Sequence, residues 1–198
     1  MEMTVRSKGR AMTSNREAWR RAAFLDRDGV INQAPVRNGL PYAPESVSEL
    51  KVLPGVVEAI NMLRNADYMV IVVTNQPDVG ACKKPRQSVE EIHDRLLETM
   101  AVNEIRVCYH TDLDRCRCRK PQPGMILDAS REHTIDLSQS FLVGDRWRDV
   151  DAGKAAGCKT YFIDLGYKES LREKPDHTVQ NLPAAIRHVL RQKQRILG

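Results

Sequence analysis

The sequence predicts an α/β domain of three layers, a mainly parallel sheet between two layers of helices. Three observations predict it. Short apolar runs of strand length alternate with longer stretches whose apolar residues recur at helical spacing. Asp26, Thr74 and Asp145 stand at the ends of three of those runs, where ligands collect in parallel sheets. No insertion of domain size interrupts the alternation, so loops rather than a separate cap domain are expected to shape the cleft. Such an alternation closes through right-handed crossovers.

Residues 1–20 are polar and lack sustained apolar periodicity, so they read as an N-terminal extension, with Trp19 expected to pack on the domain edge. Residues 21–198 then form a single domain. Residues 22–25 are a short buried strand ending at Asp26. Residues 31–49 carry Pro35, Pro41, Pro44 and the pair Asn38-Gly39, which predicts a loop with a short turn or hairpin beside the cleft. Pro54-Gly55 opens a helix with Val56, Val57, Ile60 and Leu63 on one side. The β-branched run 68–73 is a fully buried parallel strand. Ser88-Val89-Glu90-Glu91 matches a capping box for a helix that turns Val89, Ile92, Leu96 and Leu97 inward. Residues 104–108 are a third strand, and 123–133 a helix bearing Met125, Ile126 and Ala129. A strand over 140–144, a helix over 148–156 closed by Gly157, and a strand over 159–163 follow. The helix 182–192 ends the domain, with Ile186, Val189 and Leu190 on its apolar side.

At 198 residues the chain can bury a full core, and 41% hydrophobic with 29% charged residues fits a soluble globular protein. No apolar run approaches the roughly 20 residues that span a bilayer. The basic N-terminus lacks the apolar segment of a secretory signal, so the expected location is the cytoplasm, with no membrane partner. The net charge of +5 raises the possibility of nucleic acid. The basic residues are scattered, however, and aromatics reach only 5%, too few for a base-stacking surface. Basic residues within the domain suit a small anionic substrate instead, and a monomer is expected.

Residues i and i+2 of a strand share a face, so Asp26 and Asp28 can both point into one cleft at the turn that Gly29 permits. Two close carboxylates need a cation or a shared proton, and Mg²⁺ prefers such hard oxygen ligands. Asp26 can attack phosphorus, and Asp28 can protonate the leaving oxygen and later deprotonate water. Arg27, between them, is expected to point away. The Thr74 hydroxyl, helped by Asn75, can hold a phosphoryl oxygen. Lys120 can offset charge on the transferring group, and Arg119 can fork onto a second anion or sugar oxygens. Asp145 and Asp149, one helical turn apart, complete the expected Mg²⁺ set of Asp26, Asp28, Asp145 and Asp149. Arg146, beside Asp145, is counted among the substrate contacts.

Cys108-Tyr109-His110, five residues, then Cys116-Arg117-Cys118 supplies three thiolates and one imidazole. Cys108, His110, Cys116 and Cys118 make a closed tetrahedral Zn²⁺ set, structural because no position stays open. It would staple a polar loop that leads straight into Arg119-Lys120. Cys158 reads as core, and Cys82 has no assigned role.

Phe24-Leu25-Asp26-Arg27-Asp28-Gly29-Val30, Val70-Ile71-Val72-Val73-Thr74-Asn75, Arg119-Lys120-Pro121 and Phe141-Leu142-Val143-Gly144-Asp145, in this order, resemble the motif set of the haloacid dehalogenase-like (HAD) phosphohydrolases. The resemblance spans about residues 22–163 and implies a Rossmann-like fold. The first motif with Ile31-Asn32, and Cys116 through Met125, are similar to the heptose bisphosphate phosphatase branch, itself related to histidinol phosphatase. The short zinc spacer is nearer the histidinol-phosphatase form. Pro77-Asp78-Val79-Gly80 departs from the Ser-Gly turn usual in the family. The resemblance implies removal of the 7-phosphate from D-glycero-D-manno-heptose 1,7-bisphosphate, with residues 34–37, Ala34 and Arg37 among them, contacting the sugar phosphate beside Arg119 and Lys120. Histidinol-phosphate hydrolysis is the alternative. A nucleic-acid end-processing or binding protein is the alternative of another class, and a silent zinc-stabilised interaction protein a third.

Overall fold

The computed structural model describes residues 2–6 and 20–197, with side chains over 20–192. In chain order the elements are β1 (Glu2–Arg6), β2 (Arg21–Leu25), β3 (Val36–Arg37), β4 (Leu40–Pro41), α1 (Val56–Asn65), β5 (Tyr68–Asn75), α2 (Pro77–Gly80) and α3 (Arg86–Thr99). Then come β6 (Glu104–Cys108), α4 (Gly124–His133), β7 (Phe141–Gly144), α5 (Trp147–Ala156), β8 (Lys159–Ile163), β9 (His177–Val179) and α6 (Leu182–Leu197). The main sheet has the order β1-β6-β5-β2-β7-β8-β9. All its pairings are parallel except β1 with β6.

Side chains alternate across the pleat and are buried on both faces. Ala23 and Leu25 of β2, with Val70 and Val72 of β5, pack under Ile60 and Leu63 of α1, Ile92 and Leu96 of α3, and Ile186 of α6. Ala22 and Phe24, with Ile71 and Val73, pack under Met125 and Ala129 of α4 and Ala152 of α5. Three layers result, and the chain leaves β2 toward β5 on one side and reaches β7 on the other. That reversal opens a crevice at the carboxyl ends of the central strands. β7 sits beside β2 so that Asp26 N–H donates to Val143 O at 2.9 Å, which brings the two acid-bearing strand ends level.

The expected hairpin is β3–β4, with Asn38 (φ 55°) and Gly39 (φ 81°) in the left-handed pair that a tight turn requires. Three details differ from expectation. The N-terminal extension contributes β1, because edge pairing uses backbone groups and needs no apolar period. Trp19 lies outside the described residues. Ser88 is no cap: α3 begins two residues earlier, after Pro85, whose fixed φ suits a helix entrance. The three-residue β9 lacks an apolar pattern long enough to announce it.

Candidate active site

Each central strand delivers its functional residue by ending. β2 ends at Leu25 and presents Asp26. β5 ends with Thr74 and Asn75, and β7 ends at Gly144 before Asp145. One carboxylate oxygen from each of Asp26, Asp145 and Asp149 lies within 4.8 Å of the others, and all three residues are buried. Lys120 reaches them from the far end of the cysteine loop. Its ammonium donates to Asp26 Oδ1 at 2.7 Å, Asp149 Oδ1 at 2.5 Å and Val73 O at 2.7 Å. Asn75 fixes the Lys120 backbone, donating to its carbonyl at 3.0 Å and accepting from its N–H at 3.1 Å. Close packing enforces the arrangement. A Cβ on Gly144 would lie 2.1 Å from Asp149 Cβ, and one on Gly29 (φ +86°) would lie 1.8 Å from Asp145 Oδ2.

The electrostatics follow from three acids sharing one cation. Burial, opposed by Lys120 and reinforced by Asp149, pushes the Asp26 carboxyl up to about 6. Burial and the charges of Asp26 and Asp149 hold Asp145 well above the usual carboxylate range. Burial works against the Lys120 ammonium, but Asp149 and Asp26 outweigh it and raise its pKa. The cluster is thus short of positive charge. Asp145 Oδ1 is buried without a hydrogen-bond partner, as a metal-ligand oxygen would be. This all-oxygen donor set fits Mg²⁺.

Asp28 stands apart. Its carboxylate accepts from Arg27 Nη2 at 2.8 Å, Asn32 Nδ2 at 2.9 Å and Gln76 Nε2 at 2.9 Å, so it is not among the acids that could hold the ion directly. Arg27 is not among the residues that line the cleft. It is fully buried, and a buried guanidinium must be paired. It folds back onto Asp28 and contacts His93 Nε2 at 2.8 Å. Burial and Arg27 hold the His93 pKa well below its ordinary value, so the ring is neutral and accepts.

The cleft has a volume of about 160 Å³ and is lined by Asp26, Asp28, Thr74, Lys120, Arg146 and Asp149, with Pro41, Tyr42 and Ala43 from the hairpin side. Ala34 and Arg37 do not line it. Asn38-Gly39 reverses the chain, and the second arm meets the cleft while Arg37 stacks on Tyr42 at 5.3 Å. Arg119 lines an adjoining groove and pairs with Asp112 at 2.8 Å, and Arg148 borders both spaces. Arg146 pairs with Glu169. Sequence reasoning assigned no role to Gln76, Tyr167 or Glu169. Gln76 is buried and bridges Thr74 Oγ1 and Asp28, a role its place after the Thr74-Asn75 strand end could have signalled. Tyr167 and Glu169 lie in a segment without periodicity, so no pattern marked them.

The thiols and the imidazole converge. Cys118 Sγ lies 3.3 Å from Cys108 Sγ, 3.4 Å from Cys116 Sγ and 3.3 Å from His110 Nδ1, and Cys108 Sγ is 3.7 Å from Cys116 Sγ. A tetrahedron with Zn–S bonds of about 2.3 Å has edges near 3.8 Å, so the four atoms could close around Zn²⁺ with little adjustment. Gly124 lets α4 start hard against this loop, since a Cβ there would lie 2.2 Å from Arg117 O.

A three-layer sheet with acids and a buried lysine gathered at its switch point defines a class, the HAD-type phosphatases, and the comparisons agree. Residues 117–185 match the HAD-hydrolase-like family model. The chain is 36% identical over 148 residues to D-glycero-beta-D-manno-heptose-1,7-bisphosphate 7-phosphatase of Bordetella bronchiseptica, the match covering 72% of this chain and 80% of that one. It is 38% identical to the enzyme of that name from Neisseria meningitidis serogroup A, covering 78% of this chain and 86% of that one. A crystal structure of D,D-heptose 1,7-bisphosphate phosphatase from B. bronchiseptica, complexed with magnesium and phosphate, superposes with a TM-score of 0.75. Identity there is 33%, over 87% of this chain and 99% of that one. The chain belongs to the D-glycero-D-manno-heptose-1,7-bisphosphate 7-phosphatase family.

Proposed function

We propose that the protein removes the 7-phosphate of D-glycero-D-manno-heptose 1,7-bisphosphate through an aspartyl-phosphate. The observation that carries the chemistry is the convergence of Asp26, Asp145 and Lys120 at one end of the sheet. The sugar rests on the relatives' shared name. Asp26 attacks phosphorus in line and expels the sugar oxygen, which takes a proton from Asp28. Asp28 then takes a proton from water, and the resulting hydroxide attacks the aspartyl-phosphate and returns Asp26. Asp26 and Asp145 would hold Mg²⁺, which would supply charge stabilisation for the transferring phosphoryl group. Asp149 anchors Lys120, whose charge offsets that on the phosphoryl oxygens. Thr74 and the amides after it bind those oxygens, Asn75 holds the Lys120 backbone, and Gln76 ties Thr74 to Asp28. Arg146 meets the substrate in the cleft, and Arg119, in the adjoining groove, meets its more distant anionic group. Residues 21–198 act as one catalytic domain, to whose sheet residues 2–6 of the N-terminal extension add an edge strand.

The test is phosphate release with Mg²⁺ from both anomers of the heptose bisphosphate and from histidinol phosphate, the substrate that the short zinc spacer favours. A preference for a heptose bisphosphate is expected, whereas a preference for histidinol phosphate overturns the assignment. Asp26→Asn should abolish turnover while the melting temperature holds. Retained turnover would require another nucleophile.

A further inference from the structure

Among the described residues, one feature of the cleft belongs to neither the motifs nor the zinc loop. After β8 the chain runs back across the metal-side wall, and it touches three things that matter. Tyr167 Oη donates to Asp145 Oδ2 at 2.8 Å. Lys168 N–H donates to Gly39 O, at the hairpin turn, at 2.8 Å. Glu169 accepts from Arg146 Nε at 2.8 Å and pairs with its guanidinium a second time. Further on, Arg172 stacks on the Trp147 ring at 3.6 Å.

We propose that Tyr167 is a positioning residue for the divalent cation. By occupying Oδ2 of Asp145 it fixes the rotation of that carboxylate and leaves Oδ1 as the ligand atom. The same segment ties the metal site to the hairpin. Two independent observations meet here. Asp145 Oδ1 is the buried oxygen without a partner, while Oδ2 has Tyr167. The phenol oxygen also packs closely over Gly29, where even a Cβ would lie 3.1 Å from it. An outer partner that holds a ligating carboxylate in one orientation spares the ion the cost of ordering it. The next two residues anchor the segment, Lys168 on Gly39 and Glu169 on Arg146. One peptide hydrogen bond thus joins the hairpin turn to the segment that orients Asp145. Tyr167 has no part in binding phosphate and touches no reacting atom.

The inference rests on the proposed placement of the ion at Asp26 and Asp145, and the experiment separates the two. Mn²⁺, a paramagnetic substitute for Mg²⁺, is titrated into the wild type, Tyr167→Phe and Asp145→Asn, with binding read by electron paramagnetic resonance and by calorimetry. No substrate is present. Tyr167→Phe is expected to weaken Mn²⁺ binding about tenfold, in the range usual for lost outer partners, with the metal-free melting temperature retained. Unchanged affinity in Tyr167→Phe, alongside lost binding in Asp145→Asn, overturns the role of Tyr167 alone. Full binding by Asp145→Asn overturns the placement of the ion beneath it. If Tyr167→Phe folds poorly, Glu169→Gln loosens the same segment two residues further on. A folded Glu169→Gln with weakened Mn²⁺ binding supports the proposal, and one with unchanged binding counts against it.

Discussion

Lys120 shows how one residue can hold a site together. Its ammonium is all but inaccessible and bridges two carboxylates, Asp26 after β2 and Asp149 in the first turn of α5, with Val73 O as a third acceptor. Replacing it by Met leaves Asp26, Asp145 and Asp149 mutually repelling without a cation. Breaking a buried ion pair from one side costs about 3 kcal/mol, so Lys120→Met should lower stability by that order at pH 7.5, read by urea unfolding. The loss should shrink at pH 5, where Asp26 is protonated. An undiminished loss at pH 5 would place the cost in packing instead. The sequence made Lys120 legible as a phosphate-binding cation, because its neighbours Arg119 and Pro121 complete a motif. It did not make Arg27 legible. The alternation of a strand turns it away from the cleft but names no partner, and only the packing of α3 against the turn reveals that His93 and Asp28 enclose it.

At the scale of elements, the cysteine loop has no apolar core of its own. Leu113 is 91% exposed, and the loop's backbone is held by Thr111 and Asp114. What fixes its ends is the Cys108, His110, Cys116 and Cys118 set, and its last ligand lies two residues before Lys120. Removing Zn²⁺ with a tight chelator should therefore lower the melting temperature by several degrees and reduce turnover together, since freed loop ends release Lys120 from Asp26. Turnover that persists unchanged after complete zinc loss, confirmed by elemental analysis, would show that Asn75 alone holds the Lys120 backbone. The zinc set was readable because ligand spacing is a local property. The pairing of Arg148 with Asp112 was not, since it joins α5 to the loop across 36 residues.

For the whole molecule, the acidic cluster makes stability depend on pH and on metal. The Asp26 carboxyl titrates at about 6 in the fold, above its usual 3.8. A raised carboxyl favours the protonated fold, so its contribution to stability is full below its unfolded pKa and is lost as pH rises through about 6. Burial and the neighbouring carboxylates push Asp145 the same way. Mg²⁺ binds the ionised cluster and opposes that loss. The rise in melting temperature on adding Mg²⁺ should thus be small at pH 5 and larger at pH 7.5. An equal rise at both values would mean that the ion does not bind at these carboxylates.

The sequence by itself determined the three-layer architecture, the hairpin beside the cleft, the strand-end acids and the zinc ligands. Each of these is written in short-range order: period-two or helical apolar spacing, a turn pair, or ligands a few residues apart. Only the tertiary structure decided that Asp28 is engaged by Arg27, Asn32 and Gln76, that Tyr42 rather than Arg37 meets the cleft, and that Tyr167 reaches Asp145. Those outcomes depend on which polar groups are left to pair once the layers close. No local pattern encodes that, because burial forces a pairing without naming the partner.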